Sequence, residues 1–90
     1  MGVRQPFYAH MVYNFFKENR ILITLTQIQL RLTESIRQCG MTQTELAKAL
    51  NVSQQTVSCY KSGKKMPALD TLANLCKILD IDANYILCQD

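Results

Sequence analysis

Two helix starts lie so close together in this chain that few folds can hold both. Thr42 with Glu45 three residues on makes a capping box: the threonine oxygen accepts an orphan amide and the glutamate reaches back to the cap amide. The helix it opens begins at Gln43 and carries Leu46, Ala47 and Leu50 along one face. Asn51 follows, the residue type that most readily replaces glycine at positive φ, and Ser53 offers a second N-cap with the lone apolar Val52 between them. The second helix points Val57 and Tyr60 inward and is expected to end at Gly63. Across so short a turn the helices must cross steeply, and their backbones approach closely at one point. The small side chain of Ala47 suits that point, and a bulky residue there should break the arrangement.

The rest of the chain reads as further short helices. Thr26 and Gln29 suggest another capping box, after which Ile28, Leu32, Ile36 and Cys39 form a helical stripe ending before Gly40. Pro67 restricts the loop after Gly63, and Leu69, Leu72, Ala73, Cys76 and Leu79 then trace one face of a helix to about Asp80. Asp82 is placed to cap a last helix carrying Tyr85, Ile86 and Leu87, with Ile81 plugging the core between the two. The fold class is therefore all-α, five helices in a bundle over residues 27–90, preceded by an extension over residues 1–26. In that extension Tyr8, Met11, Val12, Phe15 and Phe16 fit a helix, yet Phe7, Ala9, Met11, Tyr13 and Phe15 alternate as a strand. Ile21 to Leu25 is β-prone and Glu18-Asn19 suits a turn, so a helix followed by a strand and a β-hairpin both stay open. Five aromatics in this stretch are costly to expose, which predicts packing on the bundle or on a second subunit. Met11 is an alternative start for the chain.

Ninety residues make one domain at most, small enough that dimerisation would help it. The net charge is a modest +3, unevenly spread. Between Ser53 and Leu69 stand Lys61, Lys64 and Lys65 with no acid, whereas from Asp70 to Asp90 four aspartates oppose Lys77. Lysines gathered behind an exposed helix favour phosphate over simple solvation. Cys39, Cys59, Cys76 and Cys88 form no C-x-x-C and His10 is the single histidine, so neither zinc nor another metal is expected. Cys39 and Cys76 read as small core residues, and Cys59 as an outward one. With no signal-peptide pattern and no apolar run near membrane-spanning length, a cytoplasmic, reducing location is the default. Gly2, Gly40 and Gly63 assemble no P-loop or dinucleotide fingerprint, and no nucleophile has a positioned base, so neither enzyme activity nor a cofactor is expected.

The run from about Leu30 to Cys88 resembles the lambdoid phage repressor and Cro family, the XRE-type helix-turn-helix DNA-binding domains. TQTELA, SQQTVS, the SGKKMP loop and LDTLANLCKILDI carry the resemblance, in the family's order and spacing. It implies double-stranded DNA as partner, with the helix from Ser53 to Ser62 in the major groove. Gln54 and Gln55 would then read bases, since a glutamine amide pairs bidentately with adenine N6 and N7, and Ser58 and Cys59 would touch base edges or sugar one turn on. Thr42 and Gln43 match positions where the family sets a helix N-terminus against phosphate. Lys61, Lys64 and Lys65 would grip the backbone, and Thr56, on the flank, would do either.

One departure stands out. Many members pair a buried arginine in helix one with a glutamate late in helix three, and the matching positions here are Ile36 and Lys61. Losing one partner strands a buried charge at about 3 to 5 kcal/mol, whereas replacing both can be neutral. The resemblance further implies a homodimer on two half-sites, which the family often pairs through the final helix; the aromatic extension, peculiar to this chain, is a second surface, and its apolar content favours a contribution from it. Nothing after Asp90 supplies the second domain that full-length phage repressors carry, so a stand-alone regulator is expected: a short prophage or mobile-element repressor, or an antitoxin that also binds a toxin. A protein-interaction module that keeps the fold without binding DNA is the reading of a different class, and the glutamines and lysine loop argue against it.

Overall fold

The computed structural model describes residues 22–90, and its helices begin where a side chain can satisfy an orphan amide. Helix α1 (Leu25–Gln38) is capped by Thr24: its hydroxyl accepts from the Gln27 amide at 3.2 Å, and the Gln27 side chain accepts from the Thr24 amide at 2.8 Å. The box is thus Thr24 with Gln27 rather than Thr26 with Gln29. Both pairs have the same T-x-x-Q spacing, and Gln29 is engaged elsewhere, its Nε2 donating to the Gly63 carbonyl at 2.7 Å. Helix α2 (Gln43–Leu50) has the capping box expected of Thr42 and Glu45, closed in both directions at 3.1 and 2.8 Å. It ends at Asn51, whose φ of 59° is left-handed.

Helix α3 (Gln54–Ser62) starts at Ser53, whose Oγ accepts from the Thr56 amide at 3.1 Å, and stops at Gly63 with φ 84°. A residue with a Cβ is strained at that angle, which is why a glycine closes the helix. Helix α4 (Leu69–Ile78) differs, because Ala68 stands at its N-cap and provides no side-chain hydrogen bond. Helix α5 (Ala83–Ile86) is capped by Asp82, which accepts from the Asn84 amide at 3.0 Å. Leu87 lies just beyond α5 as its C-cap. Five helices and no strand make up the described residues. The aromatic part of the extension, residues 1–21, with its helix and hairpin alternatives, lies outside that range, but of the β-prone stretch Ile21 to Leu25, residues 22–24 form no strand and Leu25 already opens α1, capped by Thr24.

One apolar cluster holds the helices together. It comprises Leu32 and Ile36 of α1, Leu46 and Ala47 of α2, Val57 and Tyr60 of α3, Leu72, Leu75 and Cys76 of α4, and Ile86 of α5. Ile28, Leu50, Val52 and Ile81 pack against it half-buried. Burying a large apolar side chain contributes about 1.5–3 kcal/mol, so these contacts rather than helix propensity set the fold. The inward face of α4 departs from the expected one. Leu69 is 84% exposed and Ala73 is exposed, while Leu75, absent from the expected stripe, is wholly buried. Cys76 is in the core as expected, and burial, reinforced by the nearby Asp82 charge, pushes its thiol pKa up. Cys39 is half-buried, its thiol 3.8 Å from the Met41 carbonyl.

A polar tie joins α1 to the C-terminus. Arg31 donates to the Tyr85 carbonyl at 2.6 Å and to the Asp90 carboxylate at 2.8 Å, with its guanidinium 4.5 Å from the centre of the Tyr85 ring. Among the described residues no helix is long and apolar enough to cross a membrane.

Candidate nucleic-acid interface

The two capped helices α2 and α3 are fastened to each other at their first turns. Gln43, half-buried, donates from Nε2 to the Gln54 carbonyl at 3.1 Å, and the Val52 amide donates to the Ala47 carbonyl at 3.0 Å across the turn. Ala47 itself is 4% exposed and part of the core cluster with Val57 and Tyr60 of α3. This fixes which way α3 faces. Gln54, Gln55 and Ser58 are exposed, Cys59 is half-exposed, and Thr56 is half-buried with its hydroxyl 2.9 Å from that of Ser53.

The start of α2 stands beside this face. The Thr42 hydroxyl accepts the Glu45 amide and retains its own proton to donate. The amides of Gln43 and Thr44 have no acceptor within the helix and carry the positive end of its dipole. Lys61 is exposed and borders a narrow cleft with Ile36, Thr42 and Gln43. Ile36 is buried in the core, so an apolar contact occupies the place where the family commonly has a buried arginine, and Lys61 is left outward beside the α2 N-terminus. Lys64 and Lys65 are exposed while their amides both donate to the Cys59 carbonyl, at 3.0 and 3.3 Å. The loop is therefore wound back onto the end of α3 with its cations outward. Arg31 with Asp90 is the one ion pair among the described residues, so none of these three lysines is neutralised by an acid there. No group of histidine, cysteine and acidic side chains among the described residues is arranged to hold a metal.

A family model described as helix-turn-helix matches residues 34–86, which include every site residue named above. The chain belongs to the XRE-type helix-turn-helix family. It is also similar to the HTH-type transcriptional regulator ImmR of Bacillus subtilis (strain 168), 33% identical over 60 residues. That alignment covers 67% of this chain and 47% of ImmR, so the chain spans about half the length of the curated relative it matches. No solved structure matches the chain significantly.

Three positioning contacts in this helix-turn-helix have no local sequence signal. The bond from Gln43 to Gln54 sets the start of α3, and the bond from Gln29 to Gly63 holds its end against α1. The Cys59 carbonyl gathers the lysine loop. Each pairs a side chain or amide with a main-chain oxygen, and any residue supplies such an oxygen. A capping glutamine and a clamping glutamine therefore look identical in sequence.

Proposed function

We propose that this chain is a sequence-specific DNA-binding transcriptional regulator that lays α3 in the major groove and acts as a homodimer on an operator, as a short prophage or mobile-element repressor would. The observation that carries the reading is the exposed Gln54–Gln55 pair on the first turn of α3, held there by the Gln43 bond and flanked by lysines that no acid among the described residues pairs. Gln54 and Gln55 read base edges, with Ser58 and Cys59 one turn further on. The α2 N-terminus at Thr42 and Gln43, together with Lys61, Lys64 and Lys65, takes the phosphates. Thr56 shares its hydroxyl hydrogen bond with Ser53, which suits it to supporting the reading turn.

Two assays separate the roles. Gln54→Ala or Gln55→Ala is expected to weaken the specific site by about 1–3 kcal/mol and leave random DNA nearly unaffected. Equal losses on both would remove these residues from base reading. The double variant Lys64→Ala with Lys65→Ala should weaken all sequences alike and flatten log affinity against log salt by about 0.9 for each phosphate no longer neutralised. An unchanged slope takes the loop off the DNA.

One reading helix covers too few base pairs for a unique address, and half-sites about 34 Å apart match a two-fold dimer. On α5, Ile86 is wholly buried and unavailable, which leaves the exposed Tyr85 to contact another subunit. Sedimentation of the full chain with a duplex carrying two half-sites tests the dimer, and one chain per duplex at saturation rules it out.

A further inference from the structure

The bundle carries an apolar groove between α4 and α5. Leu69, Leu72, Ala73 and Cys76 form one wall, Ala83 and Leu87 the other, and the space is about 140 Å³. A dry cavity of roughly 150 Å³ admits a benzene ring, so one aromatic side chain fits. Leu69 is the most exposed large apolar residue described, at 84%. Leaving it in water at the first position of a helix forgoes burial that a neighbouring segment could provide.

We infer that the groove is the docking site of the chain's own N-terminal segment, with one ring of the Phe15-Phe16 pair seated between α4 and α5 of the same molecule. Three observations point to this occupant. The first is chemistry. The segment holds Phe7, Tyr8, Tyr13, Phe15 and Phe16, five of the chain's seven aromatic side chains. The second is charge. Residues 1–21 carry Arg4, Lys17 and Arg20 against Glu18, while the stretch that forms the groove carries Asp70, Asp80 and Asp82 against Lys77. Lys17 and Arg20 lie next to the aromatic pair, so seating one of its rings brings them toward the aspartates.

The third is reach. The first turn of α1 lies only about 9 Å of helix rise from Arg31, which touches Tyr85 of α5, and Leu87 on the groove's rim is two residues further on. Residues 17–21 can span up to about 17 Å, enough to return from Leu22 past α5. Leu22, Ile23 and Leu25 are exposed along that path and would be covered by the returning chain. Intramolecular docking also gains from the high effective concentration of a short tether.

Hydrogen exchange on the full chain, without DNA, tests the placement independently of any operator. The wild type should protect amides in residues 13–16 and in the first two turns of α4, equally at low and high protein concentration. Leu69→Glu and Ala73→Glu change residues exposed in the bundle and should leave the helical circular dichroism intact while speeding exchange of residues 13–16 roughly tenfold or more. Phe15→Ala with Phe16→Ala should speed exchange at the start of α4 in return. Absence of protection in residues 13–16, or protection unmoved by either groove variant, overturns the assignment. Protection that grows with concentration also overturns it, in favour of a second copy in the groove.

Discussion

Helices α2 and α3 each carry a side-chain cap at the N-terminus and a left-handed residue at the C-terminus, whereas α4 starts at an uncapped alanine and exposes its first leucine. The two regions use their apolar residues differently as well. In the α2–α3 pair the buried positions form one narrow stripe, Leu46 and Ala47 with Val57 and Tyr60, and the exposed positions are polar or charged apart from Ala49. In α4 apolar residues run most of the way round, from Leu69 and Ala73 outside to Leu72, Leu75 and Cys76 inside. Caps fix a helix through its neighbours in sequence; a broad apolar surface is oriented by whatever packs on it. The α2–α3 pair is held in one orientation by its own caps, and α4 by burial.

The largest expected effect tests that dependence on burial. Leu75→Ala removes a wholly buried side chain and should cost about 2–5 kcal/mol, read as a lower urea midpoint with the slope unchanged. Because Leu75 belongs to the same cluster as Leu46 and Val57, the whole domain should unfold in one transition. Two separated transitions would mean that α4 and α5 melt as a unit of their own, and the contrast between the two regions would then be one of stability rather than of design.

A smaller pair of substitutions sharpens the contrast at the helix ends. Thr42→Ala removes the α2 cap and should destabilise by roughly 0.5–2 kcal/mol. Ala68→Ser supplies the cap that α4 lacks, at a backbone conformation of φ −64° and ψ 165° that already suits one, and should stabilise by up to about 1 kcal/mol. Opposite signs in thermal unfolding are the expected outcome. A neutral Ala68→Ser would show that burial alone already sets the start of α4.

The same contrast explains which parts of the molecule are legible in its residues. The helix-turn-helix can be read because its signals are local: Thr42 with Glu45, Asn51, Ser53 and Gly63 lie within one short stretch, and each acts on a neighbour. The cap of α1 reads two residues late because Thr24–Gln27 and Thr26–Gln29 are the same pattern, and the choice rests on Gly63, 34 residues from Gln29. The face of α4 misleads for the same reason. Leu69, Leu72, Ala73 and Cys76 keep helical spacing, as do Leu72, Leu75, Cys76 and Leu79, and the two sets overlap. What separates them is the position of the neighbouring helices, which no period within α4 encodes.

The smallest effect belongs to the tie that closes the bundle outside its core. Arg31 hydrogen-bonds the Asp90 carboxylate and holds its pKa below the usual carboxylate value, while the arginine's own pKa is raised by the same contact. A lowered acid contributes stability that is present above its unfolded pKa and lost as pH falls through its folded one. A raised base contributes below its unfolded pKa, far above neutrality here, so the arginine adds no pH dependence in the working range. Both side chains are solvent-accessible and screened by salt, which puts the effect below that of either cap. Asp90→Asn should therefore lower the urea midpoint slightly near neutrality and at low salt, and the gap to wild type should close in acid as the pH falls through the lowered Asp90 pKa. A gap that persists unchanged in acid and in high salt would mean that Asp90 acts as a neutral hydrogen-bond acceptor. The α1–α5 contact would then rest on the Tyr85 ring and carbonyl, which the substitution leaves in place.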